Sequence, residues 1–451
     1  MKRLDLRGAT KEEIVQRLTK PAFDQVVVSE AVRARIKQTF GEALTPSQLV
    51  DRIVQDVRLR GNSAVLEYTK KIDGVTLTEA GLEVTTAEKD RALAEVDPQL
   101  LGALKRAAEN VRRFHQEQKE NDRPWSSSRG NGSWVGQRRT PMDRAGLYVP
   151  GGTAAYPSSV LMTAIPAVVA GVKEVIMMVP PARDGSVNPL VLAAAVVAGV
   201  HRIFRIGGAQ AIAALAFGTA TVPAVDKIVG PGNLFVTLAK KAVYGYCDID
   251  MLAGPSEIMI VADAGADPAF IAADMLSQAE HDELASSILV TDSESLANQV
   301  IAALSAQLAT LPRSATARTA LEQQGMTLLV HDMQQAVQCV NAAAPEHLEI
   351  MTVQPEMLLP DIRHAGAIFL GAWSPEPLGD YFAGPSHVLP TGGTARYASV
   401  LNVDTFMKTT SIIAYTEQDL AAQADDIIRL AEAEGLSAHA RAVSIRRKHH
   451  V

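Results

Sequence analysis

Cysteine is nearly missing from this chain. Cys247 and Cys339 are the only two among 451 residues, too few for a disulfide framework and in keeping with a reducing compartment. Charge of one sign is also missing. Charged residues make up 21% with a net charge of −7, and no basic block or aromatic-basic patch stands out, which argues against nucleic acid as a partner. The basic tail Arg446-Arg447-Lys448, followed by His449 and His450, is too short to change this. The opening MKRLDLRGATKEEIVQRL lacks the apolar core of a signal peptide. Apolar stretches such as Val160–Val172 and Pro189–Val200 are too short to span a bilayer and carry Pro or Gly. These absences predict a soluble cytoplasmic protein with no membrane partner.

What is present is a long chain with much to bury. At 47% hydrophobic, 451 residues imply two or more domains with large interiors. Residues 1–45 read as a helical, polar-rich arm, with Glu12, Glu13, Ile14 and Leu18 marking a short amphipathic helix. Helical patterning continues to about Arg113, with Pro46 at a first helical position after Thr45. Residues 120–140 are rich in Asn, Ser and Gly and read as an exposed loop or hairpin. From about Ala145 strands and helices alternate, which predicts an α/β fold with mostly parallel sheets covered by helices. After about Val400 the pattern turns helical again.

Open parallel sheets place their sites at the carboxyl ends of strands. Three such turns are rich in glycine: Pro150-Gly151-Gly152, Gly207-Gly208 before Gln210, and Gly230-Pro231-Gly232-Asn233. Glycine lets main-chain amides approach a phosphate. None completes G-x-G-x-x-G, since Phe235 stands where the last glycine of the third turn would be. Singly each turn reads as structural punctuation; three in one segment favour a nucleotide held unconventionally.

Gln278 and His281 in SQAEHD are three apart and would share a helix face. They can offer two metal ligands but cannot complete a site; a polar helix end facing solvent is the plain alternative. Asp380 and His387 lie in a Gly/Pro-rich stretch read as a loop, and His439 follows a helix ending near Glu434-Gly435. Gln278, His281, Asp380 and His439 together would supply two nitrogens and two oxygens, a set suited to zinc or a similar divalent ion, although spacing alone does not bring them together. Glu346 and His347 form a candidate acid–base pair. Neighbours on a regular strand point to opposite faces, so both reach one site only if the backbone turns there, as Pro345 allows.

The strings GLYVPGGTAAYPSSVLM, IGGAQAIAALAFGT, VDKIVGPGN, AGPSE, SQAEHD, NAAAPEHLE, GDYFAGPSHVLPTGGTAR and EGLSAHA, in this order over about residues 135–445, resemble histidinol dehydrogenase. The resemblance implies two incomplete Rossmann-like, aldehyde-dehydrogenase-like domains with parallel sheets and small helical N- and C-terminal segments. The implied layout is an arm (1–45), the first part of the main α/β domain (46–145) and an NAD-binding domain (146–254). The second part of the main domain, with metal and catalytic residues, follows (255–400), then a C-terminal helical segment crossing to a partner subunit (401–451). The implied activity is NAD-dependent, zinc-dependent four-electron oxidation of L-histidinol to L-histidine through the aldehyde, the last step of histidine biosynthesis, in a homodimer with shared active sites. One Zn²⁺ per subunit would be held by Gln278, His281, Asp380 and His439. Glu346 and His347 would be the acid–base pair, and Tyr148, Gln210 and Asn233 would contact NAD. Ser256 and Glu434 would join the metal ligands and His347 in holding substrate. Ser386 departs from the expected Asn beside His387. The rivals are a related zinc/NAD dehydrogenase of another polar alcohol, and a zinc hydrolase with Glu346 as water base, although H-E-x-x-H is absent.

Overall fold

The computed structural model describes residues 1–20, 30–121, 124–151 and 155–447. Gly152 of the first glycine turn and the basic tail from Lys448 onward fall outside them. The chain divides into two compact units: Met1–Glu117 with Met142–Phe406, and Gln118–Pro141 with Met407–Val451.

The first unit contains two open sheets, both wholly parallel. One has six strands in the order Lys2–Asp5, Met326–Leu329, Ser286–Thr291, Glu257–Ala262, His347–Met351, Ala367–Leu370. In Glu257–Ala262 every residue is buried. Met259 and Val261 enter one apolar cluster, and Ile258, Ile260 and Ala262 enter another on the opposite face. That two-residue period explains the continuous apolar run: a parallel strand covered by helices on both faces has no solvent side. Lys2–Asp5, KRLD, pairs at the edge against Met326–Leu329. The expected arm helix is there as Lys11–Leu18, burying Ile14 and Leu18, but this strand precedes it. Its polar edge gave no apolar alternation to read.

The second sheet has five strands in the order Arg202–Phe204, Glu174–Met178, Arg144–Tyr148, Lys227–Val229, Asp248–Ile249. Its core is shared with the helix Pro46–Arg60, whose Leu49, Val50, Ile53, Val54 and Val57 are buried. Thr45 starts this helix with a capping box, accepting from Gln48 N at 3.2 Å while Gln48 Oε1 accepts from Thr45 N at 3.0 Å, and Pro46 occupies the first turn.

In the second unit, Trp125–Gly130 and Ser133–Pro141 form the expected hairpin. Its turn places Asn131 at φ 45° between two positive-φ glycines. Met407–Ala414 pairs antiparallel with Ser133–Pro141, so a strand precedes the C-terminal helices Glu417–Ala433 and Ser437–Arg447. No helix among the described residues is long and apolar enough to cross a membrane.

Candidate functional site

The carboxyl ends of the five-stranded sheet gather the glycine turns. A Cβ on either Gly151 or Gly207 would lie 2.9 Å from Pro180 Cβ, and one on Gly230 would lie 2.2 Å from the Tyr148 carbonyl oxygen. Gly230 also sits at φ 110°, so no other residue fits there. The turn is locked from below: Gly230 N–H donates to Asp250 Oδ2 at 2.7 Å, and Lys240 Nζ donates to Gly230 O at 3.0 Å while pairing with Asp250. Asn233 is exposed, and its Oδ1 caps the helix Leu234–Val243.

Tyr148 and Gln210 meet around Gly208. The Tyr148 hydroxyl accepts from Gly208 N at 3.1 Å, and Gln210 Nε2 donates to Asp73 Oδ2 at 3.3 Å. Gln210 is fully buried, yet its Oε1 has no hydrogen-bond partner among the described residues. A buried orphan acceptor beside a glycine turn at a helix start fits a dinucleotide. Asp73, pushed up to about 6 by burial, was missed by the sequence reading because nothing links residue 73 to residue 210 in the sequence.

The second gathering lies at the six-stranded sheet. Gln278 is the last but one residue of the helix Pro268–Ala279, and His281 follows in a tight turn, its N–H donating to Gln278 O at 3.2 Å. Gln278 is fully buried, and both Oε1 and Nε2 lack hydrogen-bond partners among the described residues. Asp380 lies on the short helix Glu376–Tyr381 rather than in a loop. His281, Glu376 and Asp380 can each present a ligand atom within 4.8 Å of the others. Three converging donors beside an orphaned amide suit a divalent cation. Burial would raise Asp380, but the surrounding His347, His387 and His281 lower it. His281 is exposed at its edge, yet desolvation pulls its pKa down, which favours the neutral ligating form.

Glu346 and His347 do reach one site. Ala344 adopts a left-handed conformation at φ 46°, and Glu346 precedes the strand that begins at His347, so strand alternation does not separate the pair. Glu346 Oε2 lies 3.6 Å from His347 Nδ1, and His347 Nε2 lies 3.8 Å from Asp380 Oδ1, too long for a direct hydrogen bond. Burial raises Glu346 to about 8. Burial would lower His347, but the carboxylates of Glu346, Asp380 and Glu376 outweigh it and raise His347 to about 10.

Ser256, Glu346 and His387 line one cleft with Gly230 and Pro231, which connects the Gly230 turn to Glu346. His387 Nε2 lies 3.3 Å from Ser159 Oγ and its Nδ1 3.1 Å from Asp380 O. Ser386 is buried and structural, donating to Met162 O at 3.1 Å and accepting from Val388 N at 3.2 Å. Glu434 and His439 belong to the second unit, exposed at the end of Glu417–Ala433 and within Ser437–Arg447; Gly435 closes the helix at φ 74°. Glu376 was missed because the stretch read as a loop began at Gly379 and hid the helix that joins it to Asp380; on that helix a spacing of four puts both on one face.

The family model for histidinol dehydrogenase matches residues 38–447. A histidinol dehydrogenase of Heliobacterium mobile is 54% identical over 411 residues, covering 91% of this chain and 95% of that protein. One from Bacillus subtilis is 49% identical, covering 93% and 98%. The crystal structure of histidinol dehydrogenase from Elizabethkingia anophelis, 35% identical, superposes with a TM-score of 0.90 over 99% of this chain and 98% of that one. The chain belongs to the histidinol dehydrogenase family, a family of oxidoreductases.

Proposed function

We propose that this protein oxidises L-histidinol to L-histidine in two NAD-dependent steps at one zinc site, completing histidine biosynthesis in the cytoplasm. The observation that carries this reading is the cleft joining the Gly230 turn to Ser256, Glu346 and His387, with the donors His281, Glu376 and Asp380 converging where Asp380 faces His347, and the orphaned Gln278 amide three residues before His281. When bound, zinc would hold the substrate's amino and imidazole nitrogens and NAD⁺ would accept hydride.

The chain's own residues account for the protons. His347 Nδ1 faces the Glu257 carbonyl oxygen at 3.0 Å, which leaves Nε2 turned to the site; a cation held among the carboxylates that raise His347 would offset them and free Nε2 to take the substrate's hydroxyl proton. Glu346 takes a proton from the water that attacks the aldehyde. Tyr148, Gln210 and Asn233 contact NAD. Ser256 orients substrate, and Glu434 meets its cationic amine. His439 completes the metal set from a partner subunit, in a homodimer whose C-terminal segments exchange. A hydrolase would leave the glycine turns without a role.

Purified protein given histidinol should form two NADH per histidinol consumed, read by NADH absorbance and product analysis. One NADH with free aldehyde accumulating would end the two-step reading, and no NADH with histidinol would end the substrate assignment.

A further inference from the structure

Around the site lie three buried acids that the proton chemistry above does not use, one of which, Glu376, also offers an oxygen within 4.8 Å of ligand atoms of His281 and Asp380. Asp274, Glu349 and Glu376 are 7%, 1% and 1% exposed. Each sits one structural period from a residue of the site. Asp274 is four residues before Gln278 on the helix Pro268–Ala279, so the two share a face. Glu349 is two residues after His347 on the strand His347–Met351, again on one face. Glu376 is four residues before Asp380 on the helix Glu376–Tyr381. The three elements that present Gln278, His347 and Asp380 therefore each contribute one buried carboxyl group.

These groups are tied together across the elements. Glu349 Oε1 accepts the Glu376 N–H at 2.8 Å, holding the first residue of the helix that carries Asp380. Glu376 Oε2 accepts from Ser277 Oγ at 2.9 Å, one residue before Gln278. The Asp274 and Glu349 carboxyl groups face each other within reach of a hydrogen bond.

We infer that Asp274, Glu349 and Glu376 form a positioning tier: tied to one another and to Ser277, they set the mutual placement of the helix that presents Gln278, the strand starting at His347 and the helix carrying Asp380. The inference rests on the metal reading above. The tier acts through the ligands rather than on substrate, so its loss should appear first as weaker metal binding. Outer partners of ligands characteristically contribute about 10- to 100-fold to metal affinity.

The experiment measures zinc dissociation constants by chelator competition on the full-length protein. Glu349→Leu removes the acceptor for Glu376 N–H and the partner of Asp274 at similar volume; affinity should fall about 10- to 100-fold. Glu349→Gln keeps both bonds, since its amide oxygen accepts and its amide nitrogen donates to Asp274; affinity should stay within about threefold of wild type, given that the bonding pattern is conserved. A merely space-filling role would give the opposite ranking or none. If Glu349→Leu fails to fold, Asp274→Ala tests the same tie from the helix side, with a loss of about tenfold expected. Wild-type affinity in the folded variant that lacks the tie overturns the inference. If the wild-type protein itself binds no zinc, the metal reading fails and the inference with it. The wild-type titration separates these two failures.

Discussion

The main chain of Glu257 holds Glu346 and, through it, the neighbouring base: its N–H donates to Glu346 Oε2 at 2.8 Å, and its carbonyl faces His347 Nδ1 at 3.0 Å. One residue at the start of a central strand thereby fixes both members of the acid–base pair. Its own side chain is anchored by Gly392 N–H at 3.2 Å and by an ion pair with Lys20. The pair is thus preorganised by backbone, the least mobile part of the fold.

This geometry makes a pH prediction. Glu346 must be ionised to take a proton from water, and burial raises it to about 8. Oxidation of the aldehyde should therefore be present above that pKa and fall as pH drops through it. Glu346→Gln should slow aldehyde oxidation by about 10²–10⁴-fold, the usual size of a general-base contribution, while sparing alcohol oxidation more. Half-reactions followed separately by NADH absorbance check this. Equal losses in both would assign Glu346 to holding His347 instead.

Metal removal gives a second test. The clusters on both faces of the six-stranded sheet are built from aliphatic, methionine and cysteine side chains packed on one another, so chelation should abolish activity while circular dichroism keeps its native shape. Zinc should restore the rate. Melting on chelation would make the ion structural.

Much of this was legible in the sequence, and the rest fails for identifiable reasons. Alternation and buried runs marked the parallel sheets because Glu257–Ala262 and Glu174–Met178 are covered on both faces. Gln278, His281, Glu346 and His347 could be singled out because each pair is local. Asp73, Asp274, Glu349 and Glu376 could not, since an isolated acid reads as solvated surface until the fold buries it. Lys2–Asp5 was hidden because its strand identity comes from pairing with Met326–Leu329, over 300 residues away.

The Gly230 turn should be sensitive to the pair beneath it. Lys240 and Asp250 side chains are only 2% and 1% exposed. Asp250→Ala leaves a buried ammonium without its counter-charge and Gly230 N–H without its acceptor, which should cost about 3–5 kcal/mol of stability. Urea unfolding measures it, and the surviving folded protein should bind NAD more weakly. A loss below about 1 kcal/mol, the scale of an exposed pair, would mean that water replaces the carboxylate.

His439 lies in the second unit, whereas His281 lies in the first. The proposed exchange of C-terminal segments would bring His439 and Glu434 to the site of the other subunit. A two-fold dimer permits this, because one exchange completes both sites. If so, His281→Ala and His439→Ala are complementary lesions. Each homodimer is inactive, but a mixed dimer has one site carrying both lesions and one carrying neither. Co-refolding equal amounts should restore activity to about one quarter of wild type, since half of randomly paired dimers are mixed and half of their sites are intact. Mass analysis confirms that mixed dimers form. Mixed dimers without activity would mean that each chain completes its own site, and the proposal of shared sites would fall while the zinc and NAD chemistry stood.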